Sequence, residues 1–370
     1  MFPDRPRHRG LLVEIEICCN CYYGDHEFTW LKKFGPVYLV KGCFGQNRLM
    51  ISDPLALQYI LNSSHFGHGP TSENVMDLIL DRNAIVASKG ETHKRLRAAL
   101  NIGFTSSAVR NYRPIFEKVA EKITERLDKC SGSLTDLYPI LSPATLSAIS
   151  EAVLGFSARD LGEAFVANNE RVIINYGRKS MRHFVVHIAL PLMRAWLKLI
   201  KGCGPAHWCS QETLRLYPPG AIQERITVQD TVIPLTDGIK NSKGEFMNHI
   251  PVQKGQVVLV AIASYQRLQS RWGEDAHQFR PSRWIDGTVV QGQAVGPYAN
   301  LLSFLGGPRV CLGWRFAPRV LEMQVFFSKL VGEFSFALPE DDCLRTRYAN
   351  MLIPVTPSGE KAAPLHITRI

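Results

Sequence analysis

The 370-residue sequence has no glycine-rich phosphate loop, no internal repeat, no low-complexity tract and no sustained apolar run at its N-terminus. Without GxGxxG, or GxxxxGK followed by Ser or Thr, nucleotide binding through a glycine-rich loop is unsupported. A hydrophobic fraction of 45% beside 21% charged residues excludes a disordered chain, a collagen-like repeat and a polytopic membrane protein. The chain is long enough and apolar enough to bury a large core.

A paired-cysteine framework is also absent. The nine cysteines are an odd number and are scattered without framework spacing, which favours a reducing compartment. Cys18, Cys19 and Cys21 form one local group, but no CxxC pair follows them at zinc-finger spacing. We therefore interpret these three as small apolar residues and predict no zinc site.

Acidic residues are scarce, at 33 against 43 basic residues, for a net charge of +10. That excess is compatible with an acidic partner, nucleic acid or an anionic membrane face. No run of Lys and Arg interleaved with aromatic residues is present, so nucleic-acid binding is not predicted. Residues 1–33 begin with a basic stretch, and Glu14 and Glu16 interrupt the apolar residues that follow it. Neither a signal peptide nor a transmembrane anchor is therefore predicted there.

Apolar periodicity predicts helices mainly in the first half of the chain and short strands mainly in the second. The pattern predicts two strands within residues 36–53 and a helix over residues 54–62. Apolar residues at three- and four-residue steps from 112 to 127 predict an amphipathic helix, and another is predicted from about 144 to 154. Further strands are predicted for ERITV (224–228), TVIPL (231–235) and QVVLVAIASY (256–265). The predicted fold class is mainly α with small β-sheets, α+β, in a single large domain.

The segment SFLGGPRVCLG, residues 303–313, brings together residue types with distinct chemical uses just before a predicted helix. Cys311 is predicted to lie at that helix N-terminus, where unpaired N–H groups lower a thiol pKa and favour the thiolate. Arg309 supplies a cation for a carboxylate, and Phe304 supplies an apolar wall that excludes water. Glycines let the backbone approach a flat ligand closely, and here they are Gly306, Gly307 and Gly313. Together these features are typical of the thiolate side of a haem pocket.

Five fixed positions of this segment resemble the FxxGxRxCxG motif of the cytochrome P450 haem-thiolate monooxygenases. The matching residues are Phe304, Gly307, Arg309, Cys311 and Gly313. From ordinary residue frequencies such a match is expected about 10⁻⁴ times in a chain of this length. The resemblance implies that haem b is the cofactor and that the Cys311 thiolate is the axial ligand of its iron.

Two further segments resemble the same family. Glu212 and Arg215 in SQETLRLYPP lie three apart on one helix face, like the family's ExxR pair. The segment FRPSRW resembles the family's PxRF/W motif and contains Arg283. The resemblance implies a buried structural network of Glu212, Arg215 and Arg283 beneath the haem-binding loop.

The segment GETHKRLRAAL resembles the family's WxxxR helix, with His93 in the place of Trp. His93 and Arg97 lie four apart and so share a helix face. The resemblance implies that both reach a haem propionate, and that the variable segment before them covers the substrate. Lys94 and Arg95 are expected to face water or a redox partner. Taken without the other motifs, HKRLR would be a solvated basic face.

One part of the family pattern is missing. No (A/G)GxxT motif and no long helix to carry it lie between Thr145 and Thr213, and only 58 residues separate Leu154 from Glu212. A deletion or an error in the gene model accounts for this better than a rewired active site. We therefore divide the chain into an N-terminal segment without an anchor, 1–33, and a truncated cytochrome P450-like domain, 34–370, with an internal deletion near 201–205.

The resemblance implies an oxidoreductase that hydroxylates or otherwise oxidises a lipophilic small molecule, in secondary metabolism, by reductive activation of O₂. Its electrons would come from an NADPH-dependent flavoprotein reductase. The implied location is the cytoplasmic side, with peripheral contact at the endoplasmic reticulum. Two alternatives remain open: a haem-binding remnant without turnover, and a peroxide-dependent or rearranging haem-thiolate enzyme.

Overall fold

A computed structural model describes residues 22–42, 45–79, 84–156, 160, 162, 206–240, 244–287, 289, 294–316, 322–339, 344–348 and 352–370. The cysteine group at 18–21, the predicted deletion near 201–205 and most of the interval in which the missing helix was sought lie outside these residues. Within them, the predicted mixture of helices and small β-sheets is confirmed.

Helices dominate the first half of the described chain, as the periodicity predicts. Their bounds are α1 Glu27–Phe34, α2 Pro54–Asn62, α3 Pro70–Ile79, α4 Gly90–Asn101, α5 Ser106–Asn111, α6 Arg113–Asp128, α7 Tyr138–Leu154, α8 Ala206–Leu216, α9 Ile262–Tyr265, α10 Gln269–Trp272 and α11 Glu322–Glu333. In the described part of the chain no helix is long and apolar enough to cross a membrane.

The strands form four small sheets. Their bounds are β1 Val37–Lys41, β2 Asn47–Ile51, β3 Phe66–His68, β4 Leu134–Asp136, β5 Ile222–Thr227, β6 Thr231–Lys240, β7 Phe246–Val252, β8 Val257–Ala261, β9 Phe334–Ala337, β10 Arg345–Tyr348, β11 Leu352–Val355 and β12 Pro364–Arg369. The largest sheet has the order β1-β2-β8-β5-β3. In it only β2 and β8 run parallel. Every residue of β8 is buried, in keeping with its continuous apolar sequence.

Helix α6 shows why the first half folds as it does. Its apolar residues recur at three- and four-residue steps, and Phe116, Ile123 and Leu127 are all buried. They pack against α7 and α11. Helix α7 begins six residues before the predicted start at 144 and contains Pro143. This proline lies near the N-terminus, where its missing N–H removes only one early hydrogen bond of the helix.

One predicted strand is wrong at its end. The run QVVLVAIASY was predicted to be extended throughout, but only 257–261 is strand and Ile262–Tyr265 is a short helix. Periodicity cannot separate a buried strand from a buried helix in a continuous apolar run. The chain turns here because two backbone N–H groups find other partners. The N–H of Ala263 donates to the carbonyl of Ala221, and the N–H of Gln266 donates to the carbonyl of Ile262.

Candidate functional site

The Cys311 loop connects two short 3₁₀ turns, Gly307–Arg309 and Leu312–Trp314. The backbone N–H of Cys311 donates to the carbonyl of Phe304 across 2.8 Å and so closes the loop. The Phe304 side chain is 2% exposed and packs edge-on against the ring of Tyr298. The loop therefore presents the thiol at the edge of the apolar core.

Two glycines let the loop approach other backbone segments. A Cβ on Gly306 would lie 2.3 Å from the carbonyl oxygen of Val295, and a Cβ on Gly307 would lie 2.2 Å from that of Leu61. Gly307 also has a φ of +66°, in the left-handed region that favours glycine. No side chain fits at either position, so the loop is held between the end of α2 and the segment at 295.

Gly313 has the opposite kind of surroundings. A Cβ there would lie 3.9 Å from Cys311 Sγ and 4.0 Å from the ring of Phe104, in ordinary contact. Nothing in the described structure crowds this position, so the missing side chain leaves room beside the sulfur. A flat group bonded to the thiolate could lie across this space.

The predicted lowering of the Cys311 pKa is wrong for the protein alone. Burial raises the pKa of the thiol, although the N–H of Gly313 and the charge of Arg97 both act to lower it. The predicted lowering requires Cys311 to lie at the N-terminus of a long helix, whereas in the structure it precedes a 3₁₀ turn of three residues. A bound metal ion would reverse the balance, because its charge deprotonates a coordinating thiol.

The structure brings His93, Arg97 and Arg309 together. His93 is buried, and its pKa is lowered by burial and then by the charges of Arg309 and Arg97. Burial and the charge of Arg97 also lower the pKa of Arg309, whose Nη2 donates to the carbonyl of Ser88 across 2.8 Å. Within the described residues neither arginine forms an ion pair with a carboxylate. Repelling cations without a carboxylate favour binding of an anion.

Two residues that the sequence analysis missed lie in the same group. Arg225 is 6% exposed, and burial followed by the charge of Arg309 lowers its pKa to about 10. Its register partner His68 has a pKa lowered to about 4 by burial and then by Arg225 and Arg309. His68 Nε2 is buried and has no hydrogen-bond partner among the described residues. No spacing rule connects strand residues 68 and 225 with 309, so sequence gave no signal for them. We call His68, His93, Arg97, Arg225 and Arg309 the basic cluster.

These residues fit haem b. The ligand needs a thiolate for its iron, a smooth surface for its disc and cations for its two propionates. Cys311 supplies the thiolate, and Gly313 leaves room for the disc. The basic cluster supplies the cations for the propionates, and the charge of Arg97 acts on both Cys311 and Arg309.

Glu212, Arg215 and Arg283 form a second charged group, which we call the Glu212 network. Arg215 binds Glu212 in a bidentate pair at 2.8 and 2.9 Å, and Arg283 Nε donates to Glu212 Oε1 at 2.8 Å. All three side chains are 0–1% exposed. Trp284 Nε1 also donates to the carboxylate. The remaining guanidinium N–H groups reach backbone carbonyls at 266, 272, 275, 276 and 278.

Gln266 joins this network to the Cys311 loop, and the sequence analysis missed it as well. The side chain is fully buried, and its Nε2 donates to the carbonyls of Leu214 and Arg215. Its Oε1 accepts the backbone N–H of Leu302, at the start of the loop. The helix that carries Glu212 and Arg215 is therefore joined to the loop by this neutral amide and by Ser303 Oγ, which donates to the carbonyl of Leu214.

The family model of cytochrome P450 matches residues 25–201 and 206–362. Cytochrome P450 monooxygenase 91 of Postia placenta is 34% identical over 163 residues, which are 43% of this chain and 30% of that protein. A ganoderic acid synthetase of Ganoderma lucidum is 35% identical over 133 residues, 35% of this chain and 24% of that protein. The chain thus aligns with less than a third of the length of either protein.

A longer alignment joins the chain to cytochrome P450 monooxygenase claO of Ampulloclitocybe clavipes. The two are 21% identical over 467 residues, which take in 90% of this chain and 86% of that protein. The family model covers most of the chain and includes the Cys311 loop, the basic cluster and the Glu212 network. These matches establish what the motifs suggested: the chain belongs to the cytochrome P450 family, whose cofactor is haem iron.

Proposed function

We propose that this protein is a haem-thiolate monooxygenase-type oxidoreductase that oxidises a lipophilic small molecule. The observation that carries the proposal is the combination of a thiol beside an uncrowded glycine and a basic cluster in which, among the described residues, neither Arg97 nor Arg309 has a carboxylate partner, with the charge of Arg97 acting on the thiol. A structural cysteine in a glycine turn needs no such cluster. The name of one relative, a ganoderic acid synthetase, favours a biosynthetic role, which we propose to lie in secondary metabolism.

Each group of residues has a distinct role in this proposal. Cys311 would hold the iron through its thiolate, and the haem held there would supply the reductive activation of O₂. Arg97, Arg225 and Arg309 hold the propionates, with His93 beside them. Phe304 excludes water from the sulfur side. The Glu212 network does no chemistry and holds the loop in place.

Electrons would come from an NADPH-dependent flavoprotein reductase that docks on the thiolate side. Lys94 and Arg95 are exposed on α4, the helix that carries His93 and Arg97, and so present positive charge next to the haem site. Such charge favours an acidic partner. We propose a location on the cytoplasmic side with peripheral contact at the endoplasmic reticulum.

We also propose that the domain 34–370 has lost an internal segment near 201–205. The family match is interrupted at 202–205. The alignment with claO leaves about 134 positions without a residue of this chain (467 less nine-tenths of 370). These observations favour a second candidate, a haem-binding remnant without turnover, for the 370-residue chain itself. A peroxide-dependent or rearranging enzyme is the third.

The test of thiolate ligation is the spectrum of the reconstituted, reduced protein under carbon monoxide. We expect the strongly red-shifted Soret band of a thiolate-bound haem, and we expect Cys311→Ala to abolish it. Cys130, another partly buried free thiol, provides the control, because Cys130→Ala should leave the band unchanged. A red-shifted band in the Cys311→Ala protein would contradict the assignment.

Turnover assays separate the candidates. Reductase-dependent NADPH consumption coupled to product indicates the monooxygenase, whereas peroxide-supported turnover alone indicates the third candidate. For the chain as written we expect weak haem retention and little or no reductase-driven hydroxylation. Restoring an in-frame helix near 201 should recover both. Tight haem binding with coupled turnover by the unmodified chain would contradict the proposed loss.

A further inference from the structure

Glu224 makes a set of contacts that the proposed chemistry does not use. The side chain is 7% exposed, and its Oε2 accepts the backbone N–H of Thr71 at 2.8 Å. Its Oε1 accepts from Thr71 Oγ1 at 3.2 Å and from Arg48 Nη1 at 3.0 Å. A Cβ on Gly69 would lie 2.3 Å from Glu224 Cγ. The missing side chain at 69 therefore allows the carboxylate to reach the N-terminus of α3.

These contacts fix one end of the chain that runs from β3 to α4 and includes α3. We call residues 69–89 the connecting segment, of which 69–79 and 84–89 are described. Its other end is bound by the basic cluster, because Arg309 Nη2 donates to the carbonyl of Ser88. An ion pair of Lys89 with Glu73 also joins the two ends, but both side chains are solvent-exposed, so this pair contributes little to holding them together.

Strand β5 places the residue that binds the connecting segment next to a residue of the basic cluster. Glu224 and Arg225 are consecutive residues of the strand and so project from opposite faces of the sheet. Glu224 contacts the connecting segment, while the charge of Arg225 reaches Arg309 and His68 in the basic cluster. His68 immediately precedes Gly69. A displacement of β5 at this point would change both the start of the connecting segment and the spacing of the cations.

We propose that Glu224 is a positioning residue that couples the connecting segment to the basic cluster, so that haem binding and the order of this segment depend on each other. The inference rests on the proposed haem site. Binding of the propionates fixes Arg225 and Arg309, and these fix β5 and Ser88. Glu224 then transmits the constraint from β5 to Thr71. Without its carboxylate, only the end at Ser88 responds to haem.

Hydrogen exchange of the full chain, with and without haem, tests the coupling. In the native protein, haem should slow exchange in both 69–79 and 84–89. In Glu224→Ala we expect slowing only in 84–89, with exchange in 69–79 about tenfold faster than in the native holoprotein, because both hydrogen bonds from Thr71 to the carboxylate are lost. Glu224→Gln retains an acceptor for Thr71 and should restore part of the haem response.

Asp53→Ala is the matched control. Asp53 is also buried and caps α2 through Ala56 while binding Thr236, but it does not contact the connecting segment. We expect it to lower the melting temperature and to leave the haem response of 69–79 intact. A haem response of 69–79 in Glu224→Ala equal to that of the native protein would overturn the inference. If the native chain takes up no haem, the proposed function fails instead, and unchanged exchange of 69–79 in haem-free Glu224→Ala would overturn the anchoring role separately.

Discussion

The Glu212 network and the basic cluster are both built from charged side chains withdrawn from water, yet only one of them is complete. In the network two arginines share one carboxylate, and their remaining N–H groups reach backbone carbonyls. In the basic cluster the positive charges of the three arginines act on one another, and burial together with these charges lowers the pKa of both histidines. Within the described residues neither Arg97 nor Arg309 has a carboxylate partner. A complete network is strongly destabilised by the loss of one of its partners, whereas an incomplete one is stabilised by its ligand.

The largest effect is expected in the complete network. Glu212→Ala leaves Arg215 buried without its carboxylate and Arg283 with only that of Asp275, and breaking a buried ionic group in this way destabilises a protein by about 3–5 kcal/mol. We expect little soluble, haem-loaded protein and a markedly lower melting temperature. The control Glu117→Ala removes a solvent-exposed partner of Arg113 and should change stability by less than about 1 kcal/mol. Equal melting temperatures for the two variants would contradict the structural role.

A smaller loss is expected where the network meets the Cys311 loop. Gln266→Leu preserves much of the side-chain volume but leaves the carbonyls of Leu214 and Arg215 and the N–H of Leu302 without this partner. Unsatisfied buried groups of this kind destabilise by about 1–3 kcal/mol. Urea unfolding monitored by circular dichroism measures the change. Native stability with native haem occupancy would show that the amide does not position the loop.

In the basic cluster, removal of a charged residue should not destabilise the haem-free protein, unlike removal of one from the Glu212 network. Arg97→Gln removes one of several repelling cations, so the haem-free protein should be as stable as the native chain or more stable. Haem should nevertheless dissociate about tenfold faster, because one charge-assisted contact to a propionate is lost. Transfer of haem to apomyoglobin measures this rate. Arg95→Gln, on the exposed side of the same helix, is the control and should leave both quantities unchanged.

The smallest predicted effect concerns pH. The pKa of His68 is lowered from 6.5 to about 4 in the folded protein, so the unfolded chain binds a proton that the folded chain does not. Stability of the haem-free protein should therefore fall as pH decreases from about 7 to 5, and His68→Asn should reduce this slope. Bound propionates would offset the charges of the neighbouring cations and so weaken the dependence of stability on pH. Melting curves with and without haem test both statements, and identical slopes in the native and variant apoproteins would contradict the first.

The sequence predicted the features that depend on local pattern. The apolar steps of α6, the alternation of the short strands and the cysteine motif each identify an element or a site without reference to distant residues. The fold class and the family follow from them. The grouping of His93, Arg97 and Arg309 was predictable only through the resemblance, because α4 and the Cys311 loop are more than two hundred residues apart.

What the sequence did not predict depends on contacts between elements that no spacing rule connects. Gln266 is unremarkable in the chain, and its importance arises from two backbone segments that approach it from different directions. Arg225 lies beside Glu224 in a short strand, and nothing in this local pattern indicates that its charge acts on Arg309. The pKa of Cys311 was predicted in the wrong direction because burial, which only the fold reveals, outweighs the local N–H groups and the charge of Arg97.

The shape of the Cys311 loop is set mainly by its main chain. Leu305 and Gly307 have positive φ, the N–H of Cys311 binds the carbonyl of Phe304, and Gly306 and Gly307 lie against backbone oxygens. None of these contacts uses the side chains of Pro308, Val310 or Leu312, which are all at least partly exposed. Evolution or engineering can therefore change the polarity around the sulfur at these three positions, and with it the reduction potential of a bound iron, without moving the sulfur itself.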